Sequence, residues 1–173
     1  MSVVSRHIIL VGMMGVGKSS LGRRLSKRLG MPLADSDFEI ERAAGMGIRD
    51  LYNIYGETEL RALERRVLAR LLDDAPHVIA TGGDAFADAP TRELLKAGGT
   101  TIWLKAGLDT LTSRIRRLDH RPLLEQGTIE PRLAELLAER ERMYAEADLM
   151  LETDHKPVPQ LIEELVGMLE RQD

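Results

Sequence analysis

Apolar residues fall into short unbroken runs, separated by longer stretches in which they recur every three or four positions. The runs are HIILVG at His7–Gly12, MPLAD at Met31–Asp35, HVIAT at His77–Thr81, TTIWL at Thr100–Leu104 and DLMLE at Asp148–Glu152. Continuous rather than alternating apolar runs predict strands buried on both faces. Between them, Leu21, Leu25 and Leu29 recur every four residues and Gly30 follows as a stop, which predicts a helix. Leu60, Leu63, Val67 and Leu71 line one face of a long helix, and Leu108, Leu111 and Ile115 line another. Leu133, Leu136 and Leu137 mark a further helix, and Leu161, Leu165 and Leu169 the last. Strands alternating with helices predict an α/β fold, a parallel sheet covered on both faces. The stretch RRLDHRPLLEQGT at 116–128 lacks this periodicity and reads as a mobile loop. No repeat or linker divides the 173 residues, which suit one domain.

Composition narrows the function. Hydrophobic residues make up 43% and charged ones 30%, values of a folded globular chain. A net charge of −4 disfavours non-specific nucleic-acid binding, which needs a positive face. One Trp, three Tyr and two Phe are too few for a base-stacking platform. The absence of Cys excludes disulfides, thiolate metal sites and Cys nucleophiles. The apolar run at 8–17 is broken by glycines, lacks an A-x-A-like cleavage site and is too short to span a bilayer. A soluble cytoplasmic protein without a membrane partner is therefore expected, and its small size favours a monomer.

The decisive motif is GMMGVGKS, Gly12 to Ser19, which matches G-x-x-x-x-G-K-[ST] between a predicted strand and a predicted helix. Glycines let the backbone curl so that its N–H groups face a phosphate, and the helix N-terminus adds partial positive charge. Lys18 would bridge β- and γ-phosphates, and the Ser19 hydroxyl would ligate Mg²⁺. A chance match in a chain of this length is of order one in a hundred at ordinary glycine usage. A purine nucleoside triphosphate with Mg²⁺ is the expected ligand.

Asp35 and Asp37 follow the second run, at the sheet end where ligands of open α/β folds sit. In extended chain, carboxylates two residues apart point the same way. One would hold a metal's water shell and the other a substrate hydroxyl. Alternatively Asp37 caps the helix FEIERAAG and Asp35 is a solvated loop acid, and spacing alone leaves both open. Glu39 and Glu41 read as first-turn helix acids, and the four His have no ligand spacing. An Arg in the RP-containing loop of a phosphate-binding protein suits a closing lid.

Taken in order, these residues resemble the shikimate kinases along essentially the whole chain. The resemblance runs through GMMGVGKSS, DSD with the following EIE, and YGE-x-x-x-R-x-x-E ending at Glu64. It continues through ATGG-x-A, RPLL at Arg121–Leu124 and R-x-x-x-Y at Arg140–Tyr144. It implies a P-loop kinase fold similar to nucleoside monophosphate kinases. That fold has a five-stranded parallel sheet of order 2-3-1-4-5, a lid at about 116–128 and a substrate-binding segment at about 37–64. It implies transfer of the γ-phosphoryl of ATP to the 3-hydroxyl of shikimate, on the route to aromatic amino acids. By resemblance, Gly15, Val16, Gly17, Lys18, Ser19 and Ser20 hold the ATP phosphates, with Ser19 and Asp35 serving the metal. Asp37 binds the shikimate hydroxyls and orients or deprotonates the attacking one. Arg61, Gly83 and Arg140 bind shikimate, the two Arg clamping its carboxylate. Arg114 lies against adenine, and Arg121 is the lid Arg on the phosphates; Lys18, Asp37 and Arg121 form the catalytic set.

The family usually has three glycines where this chain has Gly82-Gly83-Asp84, and an aromatic where it has Leu60. Asp84 is expected to face the metal side or solvent. Facing a substrate carboxylate, it would cost roughly 4 kcal/mol at 4 Å and an effective dielectric near 20. Its replacement by glycine is then expected to leave shikimate KM within a few fold. Two other readings are a kinase of a related polyol acid or cyclitol, such as gluconate, and a nucleotide-binding regulatory module without turnover. The module would be marked by loss of Lys18, Asp37 or Arg121, and all three are present.

Overall fold

A computed structural model describes residues 5–118 and 129–172. Its centre is strand β1, His7–Val11, buried along its entire length because helices cover both of its faces. The chain then forms α1 (Lys18–Leu29), β2 (Leu33–Asp35), α2 (Ser36–Ala44) and α3 (Ile48–Asp73). It continues through β3 (Val78–Ala80), a 3₁₀ turn at Ala85–Ala87, α4 (Ala89–Gly98) and β4 (Gly99–Lys105). It ends with α5 (Leu108–Leu118), α6 (Ile129–Tyr144), β5 (Leu149–Glu152) and α7 (Val158–Glu170). The five strands are parallel in the order β2-β3-β1-β4-β5, as the resemblance implies.

Register brings three strand ends together. Leu10 pairs with Ala80, and Ala80 with Asp35, so the loops after β1, β2 and β3 emerge side by side. Thr81 ties this edge down, its hydroxyl donating to the Leu10 carbonyl at 2.8 Å. The core of Ile8, Ile9, Leu10, Ile79 and Ile102 lies beneath the loops.

Three expectations change. Helix α5 continues through Leu118, so Arg116 and Arg117 belong to a helix and not to the irregular loop. Their neighbours Leu111 and Ile115 pack α5 against the core, which carries the helix past the point where polar residues begin. Helix α3 begins at Ile48, more than three turns before the predicted Leu60 stripe, and is broken at Gly56, whose φ of 84° is left-handed. Helix α4 has a short apolar stripe, and the periodicity did not predict it. Arg121 and His120 lie outside the described residues. Among the described residues, no helix is long and apolar enough to cross a membrane.

Candidate active site

The loop between β1 and α1 is built on glycines with φ of 79° at Gly15 and 105° at Gly17. Such values suit residues without a Cβ. Val16, between them, is buried. A cleft of about 610 Å³ opens over this loop and is lined by Gly15, Lys18, Ser19, Asp35, Asp37 and Gly82, among others. Ser20 and Arg114 also line it. Arg114 reaches back from α5 and donates to the Val16 carbonyl at 2.6 Å, tying α5 to the loop.

Lys18 is 8% exposed, and its ammonium donates to the carbonyls of Gly12 at 2.7 Å and Met13 at 2.9 Å. Burial pushes it down to about 8, against the opposing pull of Asp37, Asp35 and Asp84. Asp37 moves the other way: burial raises it, the Asp35 charge adds to the rise, and Lys18 resists. A carboxylate made more basic in this way is better suited to accept a hydroxyl proton.

The two aspartates do not share one extended segment, contrary to expectation. Strand β2 ends at Asp35 and α2 starts at Ser36 with no loop between, so Asp37 projects from a helical turn. Asp35, not Asp37, is the cap: its Oδ1 accepts from the Asp37 and Phe38 N–H groups. Its Oδ2 accepts from the Ser19 hydroxyl at 2.9 Å. One carboxylate thus joins the helix start to the phosphate loop, leaving Asp37 to the cleft. Glu39 is a first-turn acid as expected, whereas Glu41 accepts from the Ile48 N–H at 3.1 Å.

Gly82 sets the position of Asp37. Its N–H donates to the buried Ser36 hydroxyl at 3.0 Å, and a Cβ there would lie 3.1 Å from the Asp37 carboxyl carbon. Gly82→Ala is therefore expected to push Asp37 out of place. A misplacement of this size typically costs about 10²-fold in kcat. Steady-state kinetics should show that loss with ATP KM little changed.

Arg61 and Arg140 come from α3 and α6 and converge beside Gly83. Arg61 donates to Glu64, one helical turn on, at 2.9 Å. Burial works against the Arg61 charge, and Glu64 followed by Asp84 outweigh it, raising the guanidinium further. Glu64 is itself raised by burial, with Arg61 opposing. Arg140 donates to the Gly83 carbonyl at 3.3 Å, and the Tyr144 hydroxyl donates to the same carbonyl at 2.9 Å. Tyr144 is fully buried between Phe86 and Trp103, and burial pushes its hydroxyl up to about 12.

Asp84, though partly exposed, is turned towards two cations rather than towards the metal side or solvent alone. Its carboxylate is paired with both guanidiniums, Arg61 at 3.3 Å and Arg140 in closer contact. Two cations converging on the loop after β3 outweigh hydration of a turn acid. Leu60 is 4% exposed and packs in the core, beside a small hollow shared with Met46, Leu51 and Tyr55, away from the cleft.

The comparisons with known proteins fit this geometry. Residues 14–170 match the shikimate kinase family. The chain belongs to that family. A shikimate kinase of Paramagnetospirillum magneticum is 48% identical over 167 residues, covering 96% of this chain and 86% of its own. The structure of an Acinetobacter baumannii shikimate kinase in complex with shikimate superposes with a TM-score of 0.88 at 36% identity. It covers 97% of this chain and 94% of that one. A Bacteroides thetaiotaomicron shikimate kinase gives a TM-score of 0.89 at 28% identity, covering 95% and 98%. Glu64 and Tyr144 enter the sequence only as the ends of motifs, and Ser36 only as the middle of DSD. The spacing of Glu64 from Arg61 on a helix was the available signal, whereas the other two act on backbone atoms remote in sequence.

Proposed function

We propose that this chain transfers the γ-phosphoryl group of ATP to the 3-hydroxyl of shikimate, giving 3-phosphoshikimate and ADP. The observation that carries the reading is the meeting of Lys18 and Asp37 in one cleft, in a chain of this family. An ammonium for phosphate charge lies there with a carboxylate of raised basicity for a hydroxyl. The backbone of Gly15, Val16, Gly17, Lys18, Ser19 and Ser20 binds the phosphates, and Arg114 borders the adenine end. Lys18 leaves the Gly12 and Met13 carbonyls for the β- and γ-phosphate oxygens. Asp37 holds the acceptor hydroxyl in line and takes its proton at a carboxylate oxygen as the new phosphate ester forms. Arg61 and Arg140 clamp the shikimate carboxylate beside Gly83. Arg121, outside the described residues, is assigned to the phosphates as part of a lid.

The Ser19 hydroxyl and the Asp35 carboxylate are hard oxygen donors 2.9 Å apart, which fits Mg²⁺. Among the described residues, no group of three acidic or His side chains forms a metal site alone. This suits a cation that also takes phosphate oxygens and water. When bound, Mg²⁺ neutralises charge on the β- and γ-phosphates. The reading includes a monomer in the cytoplasm.

A coupled ADP-release assay with shikimate, quinate and gluconate tests the reading. Rapid turnover with shikimate alone is expected. Preference for gluconate would make the chain a sister kinase, and ADP release with none of them would leave a nucleotide-binding module.

A further inference from the structure

Asp84 touches the two arginines assigned to the substrate and no part of the phosphate loop. Its side chain is 43% exposed, whereas those of Arg61 and Arg140 are each 13% exposed. It begins the 3₁₀ turn but makes no side-chain capping bond there. Asp35 and Asp88, by contrast, are held by N–H groups of the helices they start. The Asp84 carboxylate is therefore held by the two guanidiniums, through the Arg61 hydrogen bond at 3.3 Å and the ion pair with Arg140.

Each arginine keeps an anchor of its own. Arg61 is held by Glu64, and Arg140 by the Gly83 carbonyl. Neither depends on Asp84 for its position. Glu57, 67% exposed, pairs with the outer edge of Arg61 at 4.0 Å; apart from that carboxylate the charges are two guanidiniums, Glu64 and Asp84, which sum to zero while Asp84 stays. If the aspartate swings out to solvent, one positive charge remains for a monoanion.

We propose that Asp84 occupies the carboxylate position between Arg61 and Arg140, so that an acid substrate binds by exchanging its carboxylate for that of Asp84. The inference rests on the function proposed above in assigning the two arginines to the substrate. Asp84 is then a specificity-determining residue. A carboxylate can replace it with no change in the charge of the pocket, whereas a neutral analogue would leave the guanidinium pair one counter-ion short. The exchange lowers the apparent affinity for every monocarboxylate by one common factor, the fraction of molecules in which Asp84 has moved out. With that fraction near a tenth, the factor is about tenfold.

The test uses Asp84→Asn, which keeps the shape, and Asp84→Gly. In both, shikimate KM is expected to fall about tenfold, and the inhibition constant of benzoate, a planar monocarboxylate, by the same factor. ATP KM should stay within about twofold, because the ion pairs of Asp84 are with the two arginines and not with the phosphate loop. A common factor for two unrelated acids is what occupancy predicts and what a merely structural role would not give. Unchanged or weakened binding of both acids, in variants whose unfolding temperature matches the parent, would overturn the exchange. If the parent protein fails to phosphorylate shikimate, the proposed function fails on that result alone. Calorimetric benzoate binding to parent and Asp84→Asn then still decides the exchange: a tenfold gap supports it and equal affinities overturn it.

Discussion

Lys18→Met is expected to remove turnover and at the same time to stabilise the protein below pH 8. Loss of one charge-stabilising donor in the transition state typically lowers kcat about 10²–10³-fold. The stability effect follows from burial. Folding lowers the ammonium from its ordinary 10.5 to about 8, so the folded chain pays for a buried charge at neutral pH. Between about 8 and 10.5 the unfolded chain holds a proton that the folded one has released, so this contribution to stability rises with pH across that window. Below it the full penalty stands, at most about 3 kcal/mol at roughly 1.4 kcal/mol per pH unit. The bonds to Gly12 and Met13 return part of that. The variant should therefore melt several degrees higher at pH 7, at about 2–4 °C per kcal/mol for this size. Its advantage should shrink towards pH 10. Wild-type turnover in a folded Lys18→Met protein would remove the mechanism.

Arg61→Ala and Arg140→Ala should both raise shikimate KM far more than ATP KM, since losing one partner of a desolvated charge pair commonly costs about 2–5 kcal/mol. They should differ in stability. Arg140→Ala leaves the Gly83 carbonyl with its bond from Tyr144. Arg61→Ala leaves Glu64, 3% exposed, without its guanidinium. Stranding a buried charge costs about 3–5 kcal/mol, so Arg61→Ala should also melt lower, most clearly at high pH where Glu64 cannot stay protonated. A selective loss of ATP affinity in either variant would contradict the clamp.

The parts of this site that were legible in the sequence are those set by local rules. A strand, a glycine-rich turn and a helix start fix the phosphate loop within a few residues, so Lys18 and Ser19 were in view from the motif. Asp35 was ambiguous because its role depends on where β2 yields to α2, and the change occurs without an intervening residue. Asp84 was misjudged because its partners arrive from two distant helices; Arg61 alone is 23 positions away. An acid beside a substrate anion repels it, but the cations that would receive that anion attract the acid first. Tyr144 was visible only as the end of a motif. Its work on the Gly83 carbonyl depends on the packing of α6 against the 3₁₀ turn.

The strand order has a consequence for how such a protein can change over generations. With β1 in the middle, β2 and β3 lie to one side and β4 and β5 to the other. Asp35, Asp37, Gly82 and Asp84 all follow strands of the first side, whereas Arg114 and Thr153 at the other end of the cleft follow β4 and β5. Arg140 crosses from this second side, on α6, to meet Asp84, and the Asp35–Ser19 bond joins the first side to the loop after β1. Mutations to the loop after β3 can accumulate while the phosphate loop and Arg114 are inherited intact. A lineage can thus retune which acid it accepts, and how tightly, without passing through forms that have lost the nucleotide.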